Sequence, residues 1–278
     1  MTLALPLLIV AQTGRTYGAP VLMATITNQV INESSGIAPS RRYPGEYYTH
    51  NDSGDSARFF RVGPSGDIRG TYSLKGVQAR DWEDMASAQI DGKNYLYFGD
   101  IGDNNSQYSS VFIYRVEEPT GAGNQEIANF QKYEVTYPGG ARNAETLMVD
   151  PKTGDIWIVE KKTGSGSIYR LRKPGKSGKY KFERRGSISF PDGLAPMRVI
   201  TGGAVAPDGK HLVMRTYAFA YEFPIPGKGM ESFLETTCSR IQTPPQVQGE
   251  AITYALDSNR LVTTSEGTPC AVWGITAQ

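Results

Sequence analysis

A chain of 278 residues is long enough for one large domain or two small ones, and an apolar fraction of 39% suffices for a core. With 29 Lys and Arg against 28 Asp and Glu, it presents no basic face able to hold nucleic acid by counterion release. The 31 Gly, 17 Pro, 16 Tyr and 10 Phe, without any sustained helical period, describe many short strands joined by turns, so the class is all-β.

In chain order, Leu3 to Ala11 is an apolar run too short to span a bilayer. It resembles the core of a secretory signal, although a positively charged start is missing; the alternative is a buried first strand. Residues 1–19 are read as a leader and 20–278 as one domain, which makes a secreted or periplasmic location the expectation, with no membrane span. Cys238 and Cys270 lie far from CxxC spacing, so they form one disulfide or stay as two inert thiols, and zinc is not expected.

A weak internal repeat then organises the rest, each copy carrying a first strand headed by a polar residue, a turn, a second apolar strand and two more. Copies start at residues 33, 83, 145, 201 and 250. Their heads are Glu33, Glu83, Glu145, Thr201 and Glu250, and turns such as Asp91-Gly92 and Asp208-Gly209 separate first and second strands. In copy three the fourth strand is placed at Tyr180–Glu183. Copies about 50 to 60 residues long suit four-stranded propeller blades. The last copy ends one strand short, and Val21 to Thr27 supplies it, giving a five-bladed β-propeller closed by an N-terminal strand. Six blades, with an atypical first one, is the alternative.

First strands line the channel of a propeller, so the acids should meet at one mouth. A second layer is expected from His50, Asp52, Asp100, Lys161, Arg215 and Glu266. So many carboxylates cannot all stay ionised without a proton, a cation or nearby bases. Three readings follow. In the first, Glu33, Glu83, Asp100, Asp103, Glu145 and Glu250 hold a hard cation, Ca²⁺. In the second, paired carboxylates hydrolyse a glycoside. In the third, the acids only lock blades together, as a non-catalytic binding or scaffold propeller would use them. His50 beside Asp52 is the candidate acid or base, with Glu83 the third catalytic candidate. Trp82 is expected to pave a pocket in which Lys161, Arg198 and Arg215 bind the substrate or balance charge.

Glu145 to Lys161 and Gln248 to Ile252 resemble the blade motifs of phytase-like and SMP-30-like secreted β-propellers. Asp81 to Asp84 and Gly99 to Asn104 resemble uncharacterised bacterial members of that group. In plan the chain is also similar to five-bladed calcium-activated nucleotidases. The resemblance implies a channel-centred Ca²⁺ and hydrolysis of phosphoesters, phosphoanhydrides or lactones. A dense Lys/Arg phosphate pocket is missing, which argues against phytate. The expected protein is a calcium-dependent hydrolase, monomeric, acting on a small polar or anionic molecule or a glycan.

Overall fold

Turn chemistry sets the strand boundaries: Asp91 and Gly92 both take positive φ (51° and 79°), the pair a tight hairpin needs. A computed structural model of the protein describes residues 14–227 and 229–278. Of the expected leader, residues 1–13 lie outside the described residues, whereas the Gly18 amide donates to the Thr276 carbonyl at 2.9 Å.

The chain begins with β1 (Val21–Ile26). Blade one follows as β2 (Ser34–Pro39), β3 (Tyr47–Asn51), β4 (Arg58–Val62) and β5 (Ile68–Leu74). Blade two is β6 (Trp82–Ile90), β7 (Lys93–Asp100), β8 (Val111–Glu117) and, after β9 (Gly123–Ile127), β10 (Phe130–Thr136). Blade three is β11 (Ala144–Val149), β12 (Ile156–Glu160), β13 (Gly166–Leu171) and, after β14 (Gly178–Lys181), β15 (Glu183–Ile188). Blade four is β16 (Ile200–Val205), β17 (His211–Thr216), β18 (Phe219–Pro224) and β19 (Ser239–Gln242). Blade five is β20 (Gly249–Tyr254), β21 (Arg260–Ser265) and β22 (Cys270–Thr276), with β1 antiparallel on the outer edge of β22.

The first strands β2, β6, β11, β16 and β20 each contact the next around a closed ring, which makes the molecule a five-bladed β-propeller. Two connections serve the preceding blade instead of their own: β9 adds in parallel to β5, and β14 adds in parallel to β10. The fourth strand expected at Tyr180–Glu183 is therefore β15, and the stretch before it covers the neighbour's edge.

Five apolar clusters fill the five seams between blades. The first seam stacks Trp82 on Phe98 (4.9 Å between centroids) and Phe59 on Tyr72 (5.0 Å). Such ring pairs add about 0.5–1.5 kcal/mol each beyond the area they bury. Cys238 and Cys270 are buried free thiols in different seams, so the disulfide alternative is set aside. Among the described residues no helix is long and apolar enough to cross a membrane.

Candidate functional site

Each first strand carries a β-bulge at its mouth end. Ladder partners skip one residue between Ser34 and Gly36, Trp82 and Asp84, Ala144 and Thr146, and Ile200 and Gly202, and the register also shifts between Gly249 and Ile252. A bulge leaves its extra residue unpaired and re-aims the side chain. The equivalent residues are Ser35, Glu83, Glu145, Thr201 and Glu250. Glu33, expected in this ring, is displaced from it by two residues: aligning acid with acid overrode strand register. In place of acids, Ser35 donates to the Glu83 carbonyl and Thr201 to the Gly249 carbonyl (3.1 Å), tying each blade to the next.

A second ring follows from the residues that leave the second strands: Asp52, Ile101, Lys161, Tyr217 and Glu266. Four of them are fixed alike, their amides donating to the carbonyls of Glu33, Asp81, Asn143 and Gln248 respectively, at 3.0 to 3.1 Å. Where blade two has an apolar Ile101, the acid comes instead from Asp81. Two trios of carboxylates result, Asp52 with Asp81 and Glu83, and Asp52 with Glu250 and Glu266; within each, the oxygens lie within 4.8 Å of one another.

Burial raises the pKa of most of these acids, with carboxylate neighbours adding to it. Burial pushes Asp52 up to about 7 and Glu266 to about 8. Glu145 also reaches about 8 although the Lys161 ammonium pulls it down. Glu83 is held well above the carboxylate range by burial and then by Glu145. Asp81 is raised by burial and by Asp100. Lys161 pairs with Glu145 and also donates to Tyr217 Oη (3.2 Å), which in turn donates to Glu250 Oε1 (3.1 Å). Burial alone would lower Lys161; Glu145 outweighs it, so the ammonium persists.

Among the described residues, Glu145 Oε2 is buried with no hydrogen-bond partner, and Glu250 Oε2 has none beyond the Glu266 carboxyl beside it. Gly102 packs against the acids so closely that a Cβ there would fall on Glu83 Oε1 and Asp81 Oδ2. Buried oxygens short of donors, a hard all-oxygen donor set and this convergence against Gly102 fit a divalent cation. The far end of the channel, between Pro39, Ala86, Val149, Val205 and Tyr254, leaves only about 10 Å³, barely one water. Beneath the acids the buried Asp84 carboxylate accepts amides from β6, β11 and β16, which gives the mouth a floor. A cavity of about 470 Å³ lies elsewhere, in the apolar seam between blades five and one, and none of its described lining residues is an acid, histidine or cysteine.

Of the expected site residues, Asp52, Glu83, Glu145, Glu250 and Lys161 converge; Glu33 lies beside them, bridged to Glu266 and near enough to help raise Asp52, and the others are engaged elsewhere. His50 is fully buried against Trp82 (5.5 Å) and Phe98 (6.1 Å), its Nδ1 on the Asn51 carbonyl, and burial lowers it to about 4. Trp82, expected to pave the pocket, belongs to the same core cluster. Arg215 lies fully buried beneath the ring on Gln246, Thr263 and the Ala251 carbonyl, held to about 10 by burial against Glu250's attraction. Arg198 donates to the Gly193 carbonyl of its own loop. Asp103 spends both oxygens on the Gln107 and Tyr108 amides, and Asp100 accepts the Arg80 and Asp81 amides, so it positions Asp81 rather than joining the trios. Asp81 and Tyr217 had no part in the expected site, and Glu266 only a place in its outer layer; the signal that finds all three is position relative to the strand ends.

These observations define a β-propeller with an acid-lined channel mouth. Among solved structures the chain is similar to the gluconolactonase XC5397 of Xanthomonas campestris, with a TM-score of 0.50 at 14% identity over 95% of this chain and 99% of that one. The likeness is one of fold. No protein-family model matches the chain, and no curated protein matches it.

Proposed function

We propose that the protein is a metal-dependent hydrolase of small lactones, with Ca²⁺ as its cation. The observation that carries this is the convergence of Asp52, Asp81, Glu83, Glu250 and Glu266 at the channel mouth, with the Lys161 ammonium beside them. The likeness to a gluconolactonase supports the choice of a lactone over a phosphoester; the sparse cationic lining of the mouth favours the same choice, since phosphate recognition relies on Arg forks.

In this reading Asp52, Asp81, Glu83, Glu250 and Glu266 hold the cation. When bound, a divalent cation polarises a carbonyl oxygen and lowers the pKa of water. The protein's own groups supply the rest. The Glu145 Oε2 atom, buried and without a donor, accepts the proton of the attacking water. Glu145 returns that proton to the ring oxygen of the ester as the acyl carbon–oxygen bond breaks, so the oxygen departs as the product's hydroxyl, with the Lys161 ammonium beside Glu145 to stabilise the charge that develops on it. The product is a hydroxy acid, whose charge next to Glu145 and Glu250 favours release. Proton handling thus passes from the expected His50 to a carboxylate. A secreted monomer remains our expectation for the mature protein.

The test is a panel of aldonolactones, aromatic phosphomonoesters and aryl glycosides, assayed with Ca²⁺ for wild type and Glu83→Gln. Lactone turnover that falls at least 100-fold in kcat/KM in the variant, with a cooperative melting transition in chelator showing that the variant is folded, is the expected result. Turnover of glycosides alone, or none of any substrate by Ca²⁺-loaded wild type, overturns the lactonase reading.

A further inference from the structure

Six carboxyl groups meet at the mouth around a single ammonium. Asp52, Asp81, Glu83, Glu145, Glu250 and Glu266 are six carboxyl groups; facing them are the Lys161 ammonium and, beneath, the Arg215 guanidinium. Buried carboxylates left unbalanced are costly, because desolvation penalises each ion by several kcal/mol.

The geometry divides the acids into two sets. The trio Asp52, Asp81 and Glu83 lies on the blade-one and blade-two side, the trio Asp52, Glu250 and Glu266 on the blade-five side, and only Asp52 belongs to both. Carboxylates that belong to two neighbouring oxygen sites are the usual bridges of two-metal centres, whose ions lie about 3.5–4 Å apart. An independent sign of a ligand on the blade-five side is Glu250. It is 4% exposed, its Oε1 accepts Tyr217, and among the described residues its Oε2 meets no donor other than a proton held with the Glu266 carboxyl beside it, the close oxygen–oxygen approach that a cation would relieve. On the other side Glu83 is 3% exposed, and its Oε1 and Asp81 Oδ2 converge against Gly102, where any larger residue would put a Cβ.

We infer that the mouth holds a pair of divalent cations bridged by Asp52, one on Asp81 and Glu83 and the other on Glu250 and Glu266. The inference rests on the metal reading above and extends it. The two sites are unequal: Glu83 and Glu250 are buried, whereas Glu266 and Asp81 are partly open to solvent. Substrate therefore approaches from the Asp81 and Glu266 side.

The experiment is the Ca²⁺ stoichiometry of the full chain, stripped with chelator and measured by equilibrium dialysis with elemental analysis and by titration calorimetry. Wild type is expected to bind two Ca²⁺ per chain. Glu266→Gln and Asp81→Asn should each retain one, and Asp52→Asn should weaken both at least tenfold. Loading with Mn²⁺ should give a spin-coupled electron paramagnetic resonance spectrum that Glu266→Gln converts to that of an isolated ion. Melting temperatures of the stripped variants check that each is folded. One Ca²⁺ in wild type with an uncoupled Mn²⁺ spectrum overturns the pair and leaves a single-cation hydrolase standing. No Ca²⁺ and no Mn²⁺ overturns both.

Discussion

Gly102 sets how closely the acids of blade two can approach a ligand. Its place is taken up on one side by Glu83 Oε1 and Asp81 Oδ2, so the smallest added side chain must displace carboxylates that the fold otherwise holds still. Gly102→Ala is predicted to weaken Ca²⁺ binding by at least about tenfold, the scale typical of disturbing groups that orient metal ligands. Calorimetry reads it directly, and an unchanged affinity would mean that these two oxygens bind nothing. His50 illustrates the opposite case. In the sequence His-Asn-Asp looks reactive, but the chain leaves β3 after Asn51, so strand alternation no longer places Asp52 on the face of His50. The imidazole goes to the seam and the carboxylate to the mouth. His50→Ala should cost about 2–3 kcal/mol by opening a cavity among Trp82, Phe98 and Met85, seen as a lower urea midpoint. Ca²⁺ affinity of the folded fraction should stay as in wild type; a loss there would return His50 to the site.

At the scale of strands, the bulges decide which residues meet. Strand existence, blade number and three of the ring acids were legible from alternation, turn residues and the repeat. A bulge adds one residue without any compositional mark, so equivalence across blades could not be read from the acids alone, and Glu33 was misaligned for that reason. The same shift concealed Asp84, one residue beyond the Glu83 bulge. Its carboxylate, fully buried in the channel, accepts the amides of Met85 (2.8 Å) and Leu147 (2.9 Å) and, more weakly, Gly203 (3.3 Å). Burial raises its pKa and the three amides offset part of the rise. Blades two, three and four are thereby bolted together directly below the mouth. The blade-locking role once considered for the ring glutamates falls instead to Asp84, Ser35 and Thr201. Asp84→Ala would strand buried amides on β11 and β16, each costing about 1–3 kcal/mol. A loss of about 3 kcal/mol or more in denaturant unfolding is expected. A loss below about 1 kcal/mol would show that the amides find other partners.

For the whole molecule, the ring joins stability to ligand through charge. Apolar seams and the bolts beneath force carboxylates into a channel mouth where ionisation is opposed, and the consequence appears as a pH dependence of the metal-free protein. Asp52 at about 7, and Glu145 and Glu266 at about 8, stay protonated in the folded state over a range where the unfolded chain has ionised them, because unfolded carboxyls titrate near 4. The native state then binds more protons than the unfolded one, so stability falls as pH rises toward the folded values and levels off above them. His50 works in the opposite direction, because its folded value of about 4 is depressed below the unfolded 6.5, and its contribution grows with pH only up to about 6.5. The window from pH 6.5 to 8 therefore isolates the carboxylates. In chelator the melting temperature should drop across this window. Ca²⁺ binds the ionised carboxylates and should remove the drop, adding about 2.7 kcal/mol at a concentration one hundred times its Kd. If chelator and Ca²⁺ curves coincide from pH 6.5 to 8, the acids of the mouth are balanced by protons and by Lys161 and Arg215 alone, and the metal-dependent reading fails with them.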